Sequence, residues 1–151
     1  MKWEEFKSRD PELAALGEER FDRTGLIPLG TLRKNGWPRI SPVEPLITDG
    51  HLYLGMMWQS RKALDLLRDP RCTVHNTISD REGTEGEFKV YGYALDIQDL
   101  EARRRYGDAL YDKIQIRLEE TEYHLFSVDI QSVAFVIIQD DTMTHQVWKA
   151  P

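Results

Sequence analysis

The spacing of apolar residues changes once near the start of the chain, from helical to strand-like. Over the first two dozen positions the apolar residues recur every three or four residues. Asp10 can cap a helix, Pro11 suits its first turn, and Gly25 ends the pattern. We therefore expect a helical segment within residues 1–25 whose apolar stripe packs on the rest of the protein.

Strand-like runs follow this segment and are separated by short turns. Residues 27–32 and 39–46 flank Asn35 and Gly36, a pair that favours the positive φ angles of a hairpin turn. Another run, over residues 51–56, begins after a second turn. These runs predict a three-stranded antiparallel meander.

Two prolines interrupt the middle strand of this meander. Pro42 and Pro45 have no N–H group and cannot donate to a neighbouring strand. We therefore expect one side of this strand to be an edge or to be turned toward a ligand.

The rest of the chain alternates short helical patterns with further strand patterns. No internal repeat or long linker interrupts it, so a single domain over residues 1–151 is predicted. Six to eight strands with a few helices indicate an α+β protein built on an antiparallel barrel. The expected helices cover residues 60–68 and 100–118, and the expected strands cover residues 72–78, 87–97, 123–129, 132–139 and 143–148.

Composition and charge narrow the possible partners. The chain has 26 acidic and 20 basic side chains, a net charge of −6, and no block of lysine or arginine. Nucleic acid and anionic membranes bind positively charged protein surfaces, so neither is an expected partner. The longest apolar run, residues 133–138, is far below the roughly 20 residues that span a bilayer. With no signal-peptide pattern at its start and a single cysteine, Cys72, expected to be a buried thiol, the chain is predicted to be cytoplasmic.

Candidate chemistry is concentrated where a helix is predicted to begin directly after a strand. Ser60, Arg61 and Lys62 combine a capping residue with two cations at a helix N-terminus. Free N–H groups and the helix dipole favour an anion there, and a phosphate monoester would fit. The alternative is that Ser60 only caps the helix while both cations are solvated. Cations oppose the dipole at this end, which favours the anion site.

A second candidate lies on the strand after the hairpin. Arg39 and Ser41 are two residues apart and should point to the same face. Arg39 could bind a phosphate through two hydrogen bonds, or it could be an ordinary solvated residue of the hairpin.

In order along the chain, these segments resemble the flavin-binding split barrel of the pyridoxamine 5′-phosphate oxidase superfamily. The resemblance covers residues 29–92 and rests on the order of its motifs. The matching motifs are Gly-Thr-Leu-Arg-Lys-Asn-Gly-Trp-Pro-Arg-Ile-Ser-Pro-Val from residue 30, Tyr-Leu-Gly-Met from 53, Ser-Arg-Lys-Ala from 60, Asp-Pro-Arg from 69 and Lys-Val-Tyr-Gly from 89.

The resemblance implies an antiparallel split β-barrel with flanking helices, FMN as cofactor, and a homodimer with flavin sites at the subunit interface. It implies that Trp148 contacts the partner's site, the alternative being an aromatic residue that closes the end of the barrel. It implies that Ser60, Arg61 and Lys62 hold the phosphate and that Gly55 and Met56 flank the cofactor. The residues implied to lie along the flavin are Arg39, Ile40, Ser41 and Pro42.

The function implied is that of an FMN-binding oxidoreductase acting on a small molecule, with the chemistry supplied by the flavin ring. Alternatives are a reductase that uses a deazaflavin cofactor and a non-catalytic flavin or haem module. The arginine and histidine pair of the vitamin B6 oxidases has no match after Arg117, so that activity is not expected. Glu87 stands where those oxidases have a glutamine, and we expect it to face solvent. No metal site is expected, because the histidines lack metal-binding spacing.

Overall fold

The computed structural model describes residues 1–119 and 122–151. These residues form four helices and seven strands. The helices are α1 (Trp3–Arg9), α2 (Pro11–Asp22), α3 (Arg61–Arg68) and α4 (Leu100–Ile114); the strands are β1 (Ile27–Leu32), β2 (Pro38–Thr48), β3 (His51–Met57), β4 (Arg71–His75), β5 (Glu87–Asp96), β6 (Tyr123–Gln139) and β7 (Thr142–Lys149).

The strands form one antiparallel sheet that closes into a barrel. Their order is β3-β2-β1-β4-β5-β6-β7, and β6 also pairs with β3. Six strands therefore make the closed barrel, and β7 extends the sheet beside the second half of β6. The predicted fold class, an α+β protein on an antiparallel barrel, is confirmed.

The last barrel strand is longer than the sequence suggested. Two separate strands were expected over residues 123–139, but β6 is continuous for 17 residues. The register shifts where Tyr91 pairs with Ser132 and Gly92 pairs with Ile130, so Gln131 is left over as a bulge. A bulge bends a strand without ending it, which explains why the sequence pattern is interrupted there while the strand is not.

Strand β2 changes its partner halfway along. It pairs with β1 as far as Val43 and with β3 from Glu44 onward. Within the described chain, each half therefore has one side without a paired strand. Pro42 lies in the first half and Pro45 in the second, so two prolines fit into a strand in the interior of the sheet.

The N-terminal segment packs on the barrel as expected, but as two helices. Asp10 accepts a hydrogen bond from the N–H of Leu13 (3.1 Å) and caps α2. Its non-helical backbone (φ −140°, ψ 77°) separates α2 from the shorter α1. Phe21 packs edge-on against Phe88 of β5, with ring centres 5.4 Å apart.

A second apolar cluster lies outside the barrel, beneath α4. Tyr106 and Leu110 of α4 cover the outward side chains of β2, β3 and β6. The helix was expected to reach residue 118, but it ends at Ile114, where Gln115 adopts a left-handed conformation (φ +60°). Across residues 1–119 and 122–151, no helix has the length and apolar character needed to span a membrane.

Candidate functional site

The segment that joins β3 to α3 ends in a buried hydroxyl group. Gln59 adopts a left-handed backbone (φ +57°), and the N–H of Ser60 donates to the carbonyl of Met57 (3.1 Å). Ser60 occupies the capping position of α3, yet its side chain makes no capping hydrogen bond. Its Oγ is buried and has no partner among the residues that the structure describes. Such an atom is costly to leave unsatisfied, so a ligand atom is an expected partner for it.

Five cations surround a cavity of about 620 Å³ between the β1–β2 hairpin and α3. We call this cavity the cation pocket. It gathers five of the chain's 20 lysines and arginines in a protein of net charge −6. Arg61 is exposed and has no ion pair within the described chain, and the same holds for Arg33 and Lys34. The cations are Arg33, Lys34, Arg39, Arg61 and Arg68.

A single buried carboxylate holds two of these cations in place. Asp65 of α3 accepts hydrogen bonds from Arg39 Nε (2.6 Å), Thr31 Oγ1 (3.0 Å) and Arg68 Nη2 (3.2 Å). Burial raises the pKa of Asp65, but the hydrogen bonds from Arg39, Thr31 and Arg68 outweigh it and leave the pKa below its ordinary value. Arg39 therefore lines the cation pocket with its charge partly neutralised and its direction fixed.

Lys62 contacts the open side of β2. Its ammonium group donates to the carbonyl of Pro42, in the half of the strand that lacks a neighbour on this side. Burial lowers the pKa of Lys62. On the same strand Ser41 is half-buried, whereas Ile40 is 71% exposed on the outer face.

Gly55 and Met56 line a different cavity, of about 690 Å³, between α4 and the outer face of the barrel. We call it the α4 cavity. A Cβ atom at Gly55 would lie 2.1 Å from the hydroxyl of Tyr106, so only glycine allows this approach. The side chain of Met56 is buried in the barrel core. The other lining residues are Glu44, Met57, Trp58, Leu110, Ile114, Ile116, Leu118, Glu122 and Tyr123.

The α4 cavity was not predicted from the sequence. Its helical wall is made of Tyr106, Leu110 and Ile114, which are spaced four residues apart on one side of α4. This apolar stripe is present in the sequence, but the charged residues between its members made it difficult to recognise. The pairing of Glu44 with Gly55 across β2 and β3 could not be read without the register.

His124 lies beside the α4 cavity and has an unsatisfied ring nitrogen. It stacks on Trp58 with ring centres 4.4 Å apart and is only 5% exposed. Its Nε2 is buried and has no hydrogen-bond partner in the part of the chain that is described. Burial lowers the pKa of His124.

Trp148 lies outside both cavities. Its ring packs on Phe6 of α1, with centres 4.9 Å apart, in the same chain. Glu87 is half-buried and pairs with Lys89, whose hydrogen bond lowers the pKa of Glu87. Cys72 is buried, as expected, and burial raises its pKa to about 12.

The outer face of the barrel carries an exposed apolar surface. Ile40 pairs with Gly30, Gly30 with Thr73, and Thr73 with Tyr91, so these residues form one row across four strands. Tyr93 and Leu95 follow Tyr91 on the outward side of β5 and are 42% and 50% exposed. We call Ile40, Tyr91, Tyr93 and Leu95 the outer apolar face.

Comparison with known proteins finds similarity in structure but not in sequence. No family profile matches the chain, and no curated protein matches it. A haem-binding protein from Mycobacterium smegmatis has a TM-score of 0.65 at 20% identity, over 87% of this chain and 57% of that one. The chain therefore spans little more than half the length of that protein.

Two further solved structures match over most of both chains. A protein from Clostridium acetobutylicum, related to general stress protein 26 of B. subtilis and assigned to the pyridoxinephosphate oxidase family, has a TM-score of 0.67 at 14% identity, covering 91% of this chain and 96% of that one. A NimC/NimA family protein from the same organism has a TM-score of 0.62 at 11% identity, with coverages of 85% and 88%. The chain therefore has the fold of the pyridoxamine 5′-phosphate oxidase-like split barrels, as its sequence motifs predicted.

Proposed function

We propose that the protein binds FMN at the start of α3 and acts as a flavin-dependent oxidoreductase on a small molecule. The observation that carries this proposal is the cation pocket, in which Arg33, Lys34 and Arg61 have no ion pair within the described chain. Cations gathered without carboxylate partners repel one another, and a bound anion removes that cost.

The residues at this site fit a phosphate monoester. The N-terminus of α3 offers unpaired N–H groups and roughly half a positive charge. Arg61 lines the cation pocket and adds a full charge that can make two hydrogen bonds. Ser60 precedes it outside the lining of the pocket, and its buried hydroxyl lacks a partner in the described chain. Asp65 keeps Arg39 directed along the wall of the pocket.

The flavin ring would supply the hydride or electron transfer, and the chain's own residues would bind and orient it. Ile40 and Pro42 are exposed beside the seam between β2 and α3, where Lys62 contacts the Pro42 carbonyl. A ring placed along this strand would reach Gly55 and the α4 cavity at one end. This arrangement would leave room for a planar group and would hold its phosphate at a fixed position.

A second copy of the chain is proposed to cover the outer apolar face and complete the flavin site. Exposed apolar side chains scattered singly are ordinary on a protein surface, whereas several of them on one face mark an interaction site. Ile40 belongs both to this face and to the strand proposed to contact the flavin. A dimer would therefore bury Ile40 and enclose the cofactor together.

Two other cofactors are alternatives. A deazaflavin cofactor carries a longer anionic tail and would call for more cations than the pocket offers. Haem is the second candidate, favoured by the buried Nε2 of His124, which is a potential iron ligand, and by the similarity to a haem-binding protein. In that case the protein would be a binding module with no turnover.

An absorbance spectrum of freshly purified protein, with mass identification of any released molecule, tests the proposal. We expect a flavin spectrum and release of FMN, or, if the protein is colourless, stoichiometric binding of added FMN. A haem spectrum would support the second candidate. Light scattering of the loaded protein, with a mass of twice that of the 17.6 kDa chain expected, tests the dimer.

Charge reversal identifies the phosphate anchor. Arg61→Glu with Lys62→Glu should weaken FMN binding by about a hundredfold or more, because hydrogen bonds to charged groups contribute about 1.5–3 kcal/mol each. The matched control is Arg9→Glu with Lys149→Glu, which makes the same charge change at exposed residues outside both cavities. Equal FMN affinity for the two double variants would refute the anchor.

A further inference from the structure

The α4 cavity differs in chemistry from the cation pocket. Its walls are apolar and aromatic, and its volume of about 690 Å³ suits a small organic molecule. No lysine, arginine or histidine is among the described residues that line it. An anionic ligand would therefore lose its hydration there and gain no counter-charge.

The polar groups of the cavity are acceptors or weak donors. Glu44 is half-buried beside Gly55, and its carboxylate has no hydrogen-bond or ion-pair partner in the described chain. Glu122 is at the exposed rim of the same cavity. The hydroxyl of Tyr106 lies over Gly55, and burial, followed by the charge of Glu44, raises its pKa.

Arg103, the buried cation of α4, forms its contacts with groups other than Glu44. Arg103 lies over the ring of Tyr123, 4.3 Å from its centre, and donates to the carbonyls of Ile97 and Tyr123. Its guanidinium is outside the lining of the cavity. A half-buried carboxylate at the floor of an apolar cavity favours a ligand that brings a positive charge.

We propose that the α4 cavity is the substrate site and that it takes flat, apolar molecules carrying one protonated amine, with the amine at Glu44. The aromatic walls formed by Trp58, Tyr106 and Tyr123 favour a planar ring. Assignment of the cavity as a substrate site rests on the proposed flavin function, because the cavity begins at Gly55, where the flavin ring would end. Anionic substrates such as phosphate esters are excluded by the same charges.

Calorimetric titration with three matched probes tests this assignment. The probes are 2-naphthylmethylamine, 2-naphthylmethanol and 2-naphthoate, which share one ring system and are cationic, neutral and anionic at pH 7. We expect the amine to bind about tenfold more tightly than the alcohol, as a partly desolvated ion pair would give, and the carboxylate to bind least.

Two substitutions connect the preference to the cavity. Glu44→Gln should remove the difference between amine and alcohol, whereas Glu12→Gln, on the exposed side of α2, should leave it unchanged. Met57→Lys places a cation on a lining residue that is 81% exposed, and it should reverse the preference in favour of the carboxylate. Equal affinity of amine and carboxylate for the native protein, or an amine affinity unaffected by Glu44→Gln, would overturn the proposal.

Titrations of flavin-free and FMN-saturated protein separate this proposal from the proposed function. Selective amine binding without any FMN binding would leave the cavity assignment standing and refute the flavin function. FMN binding without selective amine binding would refute the cavity assignment alone. Failure of both would refute both.

Discussion

Helices α3 and α4 both cover the barrel near the middle of β2 and β3, but they build opposite environments. The side of α3 that faces the β1–β2 hairpin gathers five cations from residues 33–39 and 61–68, around the buried carboxylate of Asp65. The underside of α4 is apolar and aromatic, and its one half-buried carboxylate, Glu44, comes from a strand more than 50 residues away. A ligand that reached both regions would therefore be held by charge at α3 and by the fit of apolar surfaces at α4.

This difference assigns different tasks to the two helices. Charge attracts an anion over a distance and tolerates small displacements, so the α3 region can anchor a phosphate. Apolar packing is short-ranged and depends on fit, so the α4 region can distinguish between rings of different shape and charge. Substitutions in the two regions should accordingly differ in whether they change binding, folding or both.

The largest effect is expected at the centre of the α3 region. Asp65→Asn removes a buried charge that three side chains contact, and it should destabilise the fold by about 3 kcal/mol, since breaking a buried ion pair costs about 3–5 kcal/mol and Arg39 and Arg68 are partly exposed. Urea denaturation measures this. Asp108→Asn, an exposed carboxylate 3.7 Å from Arg117, is the control and should change stability by less than about 0.5 kcal/mol.

The pH dependence of this effect has a fixed sign. The pKa of Asp65 is lowered by folding, so its contribution is fully present above the pKa of the unfolded chain and is lost as the pH falls through the lower, folded value. The stability difference between native protein and Asp65→Asn should be constant near neutrality and shrink below about pH 4. A difference that grows on acidification would contradict the role given to this carboxylate.

The second effect tests the close approach under α4. Gly55→Ala places a Cβ atom 2.1 Å from the Tyr106 hydroxyl and should cost about 2 kcal/mol, as overpacking of a core does. Gly30→Ala is the matched control, because its Cβ would be 3.6 Å from the nearest atom. Thermal unfolding of both variants would show whether the two glycines differ.

Removing the hydroxyl should recover part of that cost. In Gly55→Ala with Tyr106→Phe, the nearest remaining atom of residue 106 is Cζ, at 3.0 Å. The two substitutions should therefore be less destabilising together than the sum of their separate effects. Strict additivity would mean that the hydroxyl is not what excludes a side chain at position 55.

The smallest effect on folding is expected at Ser60. Its hydroxyl caps nothing, so Ser60→Ala should change stability by less than about 0.5 kcal/mol, whereas Asp10→Ala, which removes a working cap, should cost about 1 kcal/mol. FMN affinity should fall about tenfold in Ser60→Ala, the loss of one hydrogen bond to a charged group. A clear loss of stability with unchanged FMN affinity would mean that Ser60 stabilises the fold and does not bind the cofactor.

Local signals in the sequence were enough for the elements around α3. Asn35 and Gly36 predicted the hairpin, and Gly36 has the positive φ expected of it (+83°). The helix after Ser60 was predicted because Ala63, Leu64 and Leu67 fall on one face and an Asp-Pro pair follows at residues 69–70. Turns and helix ends depend mainly on residues adjacent in the chain, so they can be predicted from the sequence alone.

The remaining features depend on contacts between distant residues. The sequence did not indicate that Tyr106 would lie on Gly55, or that Asp65 would bind Arg39, because both require the path of the sheet between them. The continuity of β6 was missed because Gln131 is accommodated by a bulge, which only the pairing with β5 reveals. Trp148 was interpreted through a resemblance, while its packing on Phe6 depends on how α1 folds back.

The change of partner along β2 has a consequence for how the barrel opens. Where β5 and β6 pair, all ten residues of β5 belong to a backbone ladder with one bulge, and separating the strands means unfolding the molecule. Between the first half of β2 and α3, two side-chain contacts, Lys62 to Pro42 and Arg39 to Asp65, take the place of that ladder. Neither contact belongs to a backbone ladder, so both can break while every strand pair stays intact. The contact between β2 and α3 can therefore open locally without unfolding of the sheet. It lies beside the residues proposed to contact a ligand.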